Sequence, residues 1–354
     1  MDREAERTAF LAGTDWASAK RLPLPADAST RSYARLAGGP RPALLMDALG
    51  AAEAPTCPPD ASPGERAALG YNAEARLAGS SLAAFAGVSG WLRGRGVRAP
   101  EVIAMDEGAG LALVEDLGDR LLAAEASDPA AERAHYARAA EVLHALAEAG
   151  AAPGPIPGGW VLQEYDETAM MAEVRLLTEW YGDHVGAPFT DGAKAAYEAA
   201  WREALGALGP ADTLVLRDYH AENVLVLDGG EGVGVIDFQD ALVGRSAYDF
   251  ASLLEDARRD VGAATARALY EDAVARRGAA FETDYAILAA QRNAKILGIF
   301  ARLIERDGKP RYGAFLPRVR ALFARDLARP ALRPVRAWAE EFLPEVTPEE
   351  PVRG

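Results

Sequence analysis

Cysteine is nearly absent from this chain: among 354 residues there is only Cys57. One thiol cannot close an internal disulfide, which points to a reducing compartment. Histidine is also scarce, with four residues at positions 135, 144, 184 and 220, and their spacing does not resemble a zinc site. Basic residues are outnumbered, 38 Lys plus Arg against 53 Asp plus Glu, for a formal net charge of −15. A field of that sign repels phosphodiester backbones and anionic lipid, so neither nucleic acid nor membrane is expected as a partner. No apolar run approaches the roughly 18 residues that span a bilayer. The opening Met-Asp-Arg-Glu-Ala-Glu-Arg lacks the basic-then-apolar order of a secretory signal. A cytoplasmic protein is expected. No internal repeat of solenoid period is found.

Half of the residues are hydrophobic, enough for one large or two medium domains with a real core. Ala, Gly, Pro and Arg are heavily used, which reads as a GC-rich genome effect. Ala-rich stretches favour helix anywhere, so turn chemistry and polar clusters carry more of the reading.

Two short apolar runs, Ser32 to Leu36 and Ala43 to Asp47, flank Ala37-Gly38-Gly39-Pro40, which is a hairpin signature. The Pro-rich segment from Ala54 to Pro63 reads as a surface loop. Leu82, Phe85, Ser89 and Leu92 have helical spacing and predict a helix over 80–95, and Val97 to Ile103 and Leu111 to Val114 predict two further strands. A small antiparallel sheet with one long helix is thus expected up to Val114. From residue 120 the pattern is helical, with helices expected over 129–150, 166–181 and 191–208. Short β-branched runs at 213–216, 223–227 and 232–236 interrupt it. The expected division is a lobe over 1–114, a hinge over 115–119, a second lobe over 120–343 and a flexible tail over 344–354.

The ionisable residues of interest fall in that interruption. Asp218 and Asn223 follow one apolar strand, and Asp237 and Asp240 follow another. Phosphoryl transfer asks for a carboxylate near the attacking hydroxyl and hard oxygen ligands for magnesium. Asp218 suits the first role, and Asn223 with Asp237 suits the second.

The run Arg217-Asp218-Tyr219-His220-Ala221-Glu222-Asn223 resembles the catalytic loop of the protein-kinase-like superfamily, and Ile236-Asp237-Phe238 stands where its metal-binding Asp-Phe-Gly would be. The aminoglycoside phosphotransferase family is more similar still, with Asp-x-His-x-x-Asn at this loop and an Ile-Asp-Phe strand after it. The resemblance implies an α+β, bilobal fold with a small antiparallel-sheet lobe and a larger, mainly helical lobe. It implies ATP and Mg2+ as cofactors, Asp249 as a brace for the catalytic loop, and His220 as a structural residue of that loop. The segment Glu115 to Gly118 would receive adenine through the backbone of Glu115 and Leu117.

Two features depart from the kinase pattern. Met46 occupies the third strand where a phosphate-pairing lysine is usual, and the helix over 80–95 contains no acid to pair with one. The loop at 26–33 has no glycines, so Ser29 and Thr30 would supply backbone amides, and Arg31 or Arg35 the missing cation.

Between Asp237 and Asp249 there is no room for a peptide-docking segment, which favours a small acceptor. Glu115 to Asp119, Asp237 to Ala241, Ser252 to Val261, Gln291 to Lys295 and Asp307 to Pro310 resemble one branch of the family, the anomeric sugar kinases of bacterial cell-wall recycling. That resemblance implies ATP-dependent phosphorylation of N-acetylmuramate and N-acetylglucosamine at C1, with no obligate protein partner. Arg258, Arg259, Gln291, Arg292 and Asn293 are then candidates for gripping the sugar, with Glu173 on a facing helix and Asp240 for a sugar hydroxyl. The alternatives are phosphorylation of an aminoglycoside or another small molecule, and a catalytically inactive kinase-like binding module.

Overall fold

The hairpin signature forms a hairpin: β2 (Ser32–Ala37) and β3 (Ala43–Asp47) pair antiparallel, with Tyr33 opposite Met46 and Arg35 opposite Leu44. Gly38 takes the left-handed conformation that the turn needs, with φ +92°. The computed structural model describes residues 2–25, 31–48, 56–227, 229 and 232–347. Two strands beyond the hairpin complete the central pairing: β5 (Leu111–Glu115) lies beside β3, and β4 (Val102–Asp106) lies beside β5. A further strand, β1 (Lys20–Pro23), pairs with β2, which gives a five-stranded antiparallel sheet in the order β1-β2-β3-β5-β4.

The helix Arg3–Ala12 was not expected, and β1 was implied only by counting Ala43 to Asp47 as a third strand. The helix rests Leu11, together with Trp16, on Leu36, Ala43, Leu45, Leu111 and Leu113. Arg3 and Arg7, one turn apart, both bind the Asp47 carboxylate at the end of β3, at 2.9 and 2.8 Å from their Nε atoms. The helix predicted over 80–95 runs Leu82–Arg93 and is capped by Ser81, whose hydroxyl accepts from Ala84 N at 3.1 Å. It buries Leu82, Phe85, Val88, Trp91 and Leu92.

The chain divides into two compact units, and the first is discontinuous: Met1–Ser127, Pro153–Gln163 and Ala221–Ala241. The expected lobes were continuous segments. Backbone pairing explains the difference for the segment 221–241, which contains β9 (Val224–Val226) and β10 (Val233–Val235). Val226 N donates to Arg120 O at 2.7 Å, and Arg98 and Gly234 form a parallel bridge. The small hairpin of β6 (Gly154–Pro155) and β7 (Val161–Leu162) joins the same unit through Gly87, where an added Cβ would meet Trp160 Cβ at 2.9 Å.

The second unit is Asp128–Ala152, Glu164–His220 and Leu242–Gly354. It holds the helices Pro129–Ala149, Glu167–Leu176, Asp191–Leu205, Ala247–Leu254 and Ala279–Glu305, with one short ribbon of β8 (Thr213–Val215) and β11 (Leu242–Gly244). The helix expected over 166–181 is capped by Asp166 and changes to π geometry over Leu177–Tyr181. Ala279–Glu305 is almost continuously buried between Tyr285 and Gly298. At Gly298 it approaches the neighbouring backbone so closely that a Cβ would lie 2.2 Å from the Leu176 carbonyl carbon. That approach brings Glu173 to the face of Gln291 and Lys295. The expected tail begins with ordered structure, because Pro344–Val346 is a 3-10 turn and Val346 is buried. Among the described residues no helix is long and apolar enough to cross a membrane.

Candidate active site

The strand ends of the first unit bring Asn223 and Asp237 together. In the β9–β10 pair Val224 faces Val235, so Asn223 and Ile236 are the next opposed residues, and Ile236 N donates to Asn223 O at 3.0 Å. Asp237 follows in a left-handed conformation, φ 59°. Among the described residues only Arg76, Arg217 and Asp237 adopt positive φ without being glycine. Such backbone costs on the order of 1–3 kcal/mol and persists where its surroundings determine it. Gln239 Nε2 donates to Asp237 Oδ1 at 3.0 Å, which orients the carboxylate. An amide oxygen and a carboxylate on adjoining strand ends are the hard donors that magnesium takes, so this pair fits the ion.

Tyr33 lies within electrostatic reach of this pair: burial pushes its hydroxyl up to about 12, with Arg31 lowering it and Asp237 raising it. Arg31 is buried, and its Nη2 donates to Gly79 O at 2.5 Å. Asp240 Oδ1 accepts from Ala78 N at 2.6 Å. Arg31 and Asp240 therefore hold consecutive residues of one loop, just ahead of the helix Leu82–Arg93. Met46 is fully buried in β3 between Tyr33 and Ala112. Arg35 reaches the segment 115–119, with Nε 2.5 Å from Asp116 Oδ2 and Nη2 2.6 Å from Asp119 Oδ1. The Glu115 carboxylate binds Arg98, and Leu117 Cδ1 lies 2.9 Å from the place of a Gly234 Cβ. Ser29 and Thr30 lie outside the described residues.

In the second unit the chain leaves β8 into Arg217 and Asp218. Asp249, on the helix Ala247–Leu254, accepts from Leu216 N at 2.6 Å and Arg217 N at 3.0 Å. Burial pushes its carboxyl up to about 7 in spite of these two donors. Replacing it would strand two buried N–H groups, each worth about 1–3 kcal/mol. Asp249→Ala is therefore expected to lower unfolding stability by about 2–6 kcal/mol, read as a lower urea midpoint. A midpoint equal to that of the parent protein would show that Asp249 does not brace the loop.

Asp218 is half-buried among charges. Burial alone would raise its carboxyl, but Lys295, His220, Arg217 and Arg292 hold it below the ordinary carboxylate range. His220 is buried, and burial with the Arg258 charge pulls it down to about 4. Its neutral ring takes Arg258 Nη1 at 2.9 Å on Nε2, so Nε2 is the acceptor. Arg259 binds Glu132 at 3.1 Å.

Four of the sugar-contact candidates, Glu173, Gln291, Arg292 and Asn293, are buried. Glu173 is 0 % exposed and binds Arg217, Tyr165, Lys295 at 2.9 Å and Gln291 Nε2 at 3.0 Å. Asn293 Nδ2 donates to Glu255 at 3.0 Å and Asp326 at 2.9 Å. Gln291 is also 0 % exposed. These groups support the loop from within the unit. Arg292 gives its Nη1 to Glu255 O at 3.2 Å.

Sequence reasoning named no role for Arg217, Gln239, Lys295 or Tyr165. The helical spacing of Gln291 and Lys295, four residues apart, was a readable sign that they share one face. Nothing in the sequence indicated that Glu173 would be their common partner.

A family model described as "Phosphotransferase enzyme family" matches residues 20–290. Over 98% of its length, and 98% of the relative's, the chain is 42% identical to an N-acetylmuramate/N-acetylglucosamine kinase of Caulobacter vibrioides. It is 30% identical to a protein of the same name from Pseudomonas aeruginosa, over 85% of this chain and 81% of that one. Among solved structures, the apo form of a thermostable mutant of aminoglycoside phosphotransferase APH(4)-Ia superposes with a TM-score of 0.58 at 16% identity, over 89% of this chain and 98% of that one. Choline kinase LicA from Streptococcus pneumoniae gives 0.57 at 12% identity, over 93% and 98% of the two chains. These structures share the fold, and the expected kinase-like α+β architecture is observed.

Proposed function

The chain belongs to the phosphotransferase enzyme family, and on that premise we propose that it moves the γ-phosphoryl group of ATP to the anomeric hydroxyl of N-acetylmuramate and N-acetylglucosamine. The observation that carries this reading is the 42% identity, sustained over 98% of both chains, with a kinase named for those two sugars. The cytoplasm, where ATP is available, is the compartment this reading requires.

In this reading Asp218 orients the attacking hydroxyl and accepts its proton. An anomeric hydroxyl is more acidic than an ordinary alcohol, so a carboxylate is base enough when the proton leaves late. Asn223 and Asp237 would hold Mg2+, which supplies charge neutralisation at the phosphate oxygens. Arg31 supplies the cation that Met46 cannot, and the backbone of Glu115 and Leu117 receives adenine. Arg35, tied to Asp116 and Asp119, fixes the hinge beside it. Arg258 and Arg259 present cations suited to the lactyl carboxylate of N-acetylmuramate. Asp240 takes a sugar hydroxyl. Glu173, Gln291 and Asn293 act behind these groups.

ADP release measured with N-acetylmuramate, N-acetylglucosamine and kanamycin as acceptors tests the assignment. Turnover is expected with the two amino sugars and not with the antibiotic. Turnover with kanamycin alone would replace this reading with antibiotic phosphorylation.

A further inference from the structure

Arg217, the residue bonded to Asp218 on its N-terminal side, has left-handed backbone with φ 73°. A residue with a side chain is destabilised in that conformation, so it persists only where the surroundings fix it. Rotation about the backbone of Arg217 carries Asp218 with it. An Arg217 returned to right-handed or extended backbone would deliver the Asp218 carboxylate to a different place.

Two carboxylates grip Arg217 from two helices. Asp249, on the helix Ala247–Leu254, accepts its backbone N–H on Oδ1 at 3.0 Å. Glu173, on the helix Glu167–Leu176, binds its guanidinium through Oε1. The guanidinium carbon also lies 5.2 Å from the centre of the Tyr165 ring. Arg217 is 1 % exposed and Glu173 0 %, so water does not compete for the pair. Breaking such a pair leaves a buried charge without its partner, which is strongly destabilising. Glu173 is itself held in place: Tyr165 donates to Oε2, Gln291 Nε2 donates to the same oxygen at 3.0 Å, and Lys295 Nζ lies 2.9 Å from Oε1. Burial would raise the Glu173 carboxyl, but Lys295 and Arg217 hold it down, so it is charged.

We propose that Arg217 and Glu173 are positioning residues for phosphoryl transfer: their buried ion pair, with the hold of Asp249 on the same residue's N–H, keeps Arg217 left-handed and thereby aims Asp218 at the acceptor hydroxyl. This inference rests on the assignment of Asp218 as the proton acceptor. The side chain of Arg217 acts on its own backbone, and the backbone acts on the next residue.

Substitution at 217 separates this role from packing and from charge. When Arg217 is removed, Glu173 still faces Lys295, so no buried charge is left alone. Gly adopts left-handed backbone without penalty and Asn tolerates it, whereas Ala and Met do not. Met fills most of the vacated space. The test measures kcat and KM for ATP and N-acetylglucosamine, with urea midpoints, for Arg217→Gly, Arg217→Asn, Arg217→Ala and Arg217→Met in the full chain, beside Asp218→Asn.

Arg217→Ala and Arg217→Met are expected to lower kcat by about 10²-fold, the cost of misplacing a catalytic group by about 1 Å, with KM for ATP nearly unchanged. Arg217→Gly and Arg217→Asn lack the ion pair too, yet are expected to stay within about 10-fold of the parent kcat. Arg217→Gly is also expected to unfold at a higher urea concentration than Arg217→Ala, the reverse of the usual order for these two residues. A kcat for Arg217→Ala equal to or above that of Arg217→Gly overturns the inference. So does a kcat for Arg217→Met above that of Arg217→Gly, which would make the role one of packing, and so does a loss confined to KM for ATP. If Arg217→Ala and Arg217→Met do not fold, a 10²-fold fall in kcat in folded Arg217→Gly and Arg217→Asn overturns it. Retained transfer in Asp218→Asn would overturn the base assignment and this inference together. An inactive Asp218→Asn beside a fully active Arg217→Ala would overturn the inference alone. The urea midpoints need no acceptor, so a parent protein that turns over neither amino sugar contradicts the proposed function, and a lower midpoint for Arg217→Gly than for Arg217→Ala still overturns the inference.

Discussion

Asp218→Asn is expected to reduce phosphoryl transfer by about 10²- to 10⁴-fold, the range for loss of a positioned general base, while ATP affinity is nearly unchanged. The amide is close in size to the carboxylate but cannot accept the hydroxyl's proton, so the loss falls on kcat. Asp218 is not one of the proposed metal ligands, which is why nucleotide binding should survive. Steady-state ADP release gives kcat, and calorimetric titration with ATP and magnesium gives affinity. A collapse of ATP affinity with kcat preserved at saturation would assign Asp218 to nucleotide binding instead.

Asp237→Asn is the second large effect. Asn is among the residues that tolerate left-handed backbone, so the φ of 59° at this position can be kept while the negative charge is removed. Gln239, which donates to Asp237 Oδ1, can still donate to the amide oxygen. The substitution therefore probes the charge rather than the turn. Several kcal/mol of charge stabilisation from the ion correspond to a fall in kcat of about 10²- to 10³-fold, accompanied by a higher magnesium requirement. A magnesium titration of the variant's activity checks both. An unchanged magnesium midpoint would remove Asp237 from the metal site. Asp237→Ala is less informative, because it alters the backbone preference together with the ligand.

The legible parts of the molecule were those with strong local chemistry. The glycine turn between β2 and β3 announced the hairpin, and β-branched runs announced β8, β9 and β10. The helix Arg3–Ala12 was missed because its contribution is made by two arginines that bind Asp47, a contact 40 residues or more along the chain. β1 could be given no bounds because only Arg21 in it is even half-buried, which leaves no apolar alternation to read. The partner of β8 is β11, Leu-Val-Gly, whose single β-branched residue makes no run to read.

The candidate site divides in the same way. Asp218, Asn223, Asp237 and Asp249 could be named because their order and local context are fixed by short motifs. Their support could not. Glu173, Gln291 and Asn293 look like polar residues on amphipathic helices, and the sequence cannot tell an exposed face from a buried polar network. Close approach at Gly298, where a side chain would collide with the Leu176 backbone, is what turns Gln291 and Lys295 toward Glu173. Arg31 and Arg35 were interchangeable as phosphate contacts in the sequence. In the fold Arg35 is tied to Asp116 and Asp119, while Arg31 shares the surroundings of Tyr33 with Asp237.

Phosphorus NMR of the product formed from ATP, magnesium and N-acetylglucosamine tests the central claim most directly. Transfer to the anomeric oxygen predicts a phosphate resonance coupled to the C1 proton, with loss of the sugar's reducing end. A phosphate coupled to the C6 protons, or no phosphorylated sugar with either N-acetylglucosamine or N-acetylmuramate, would contradict the account.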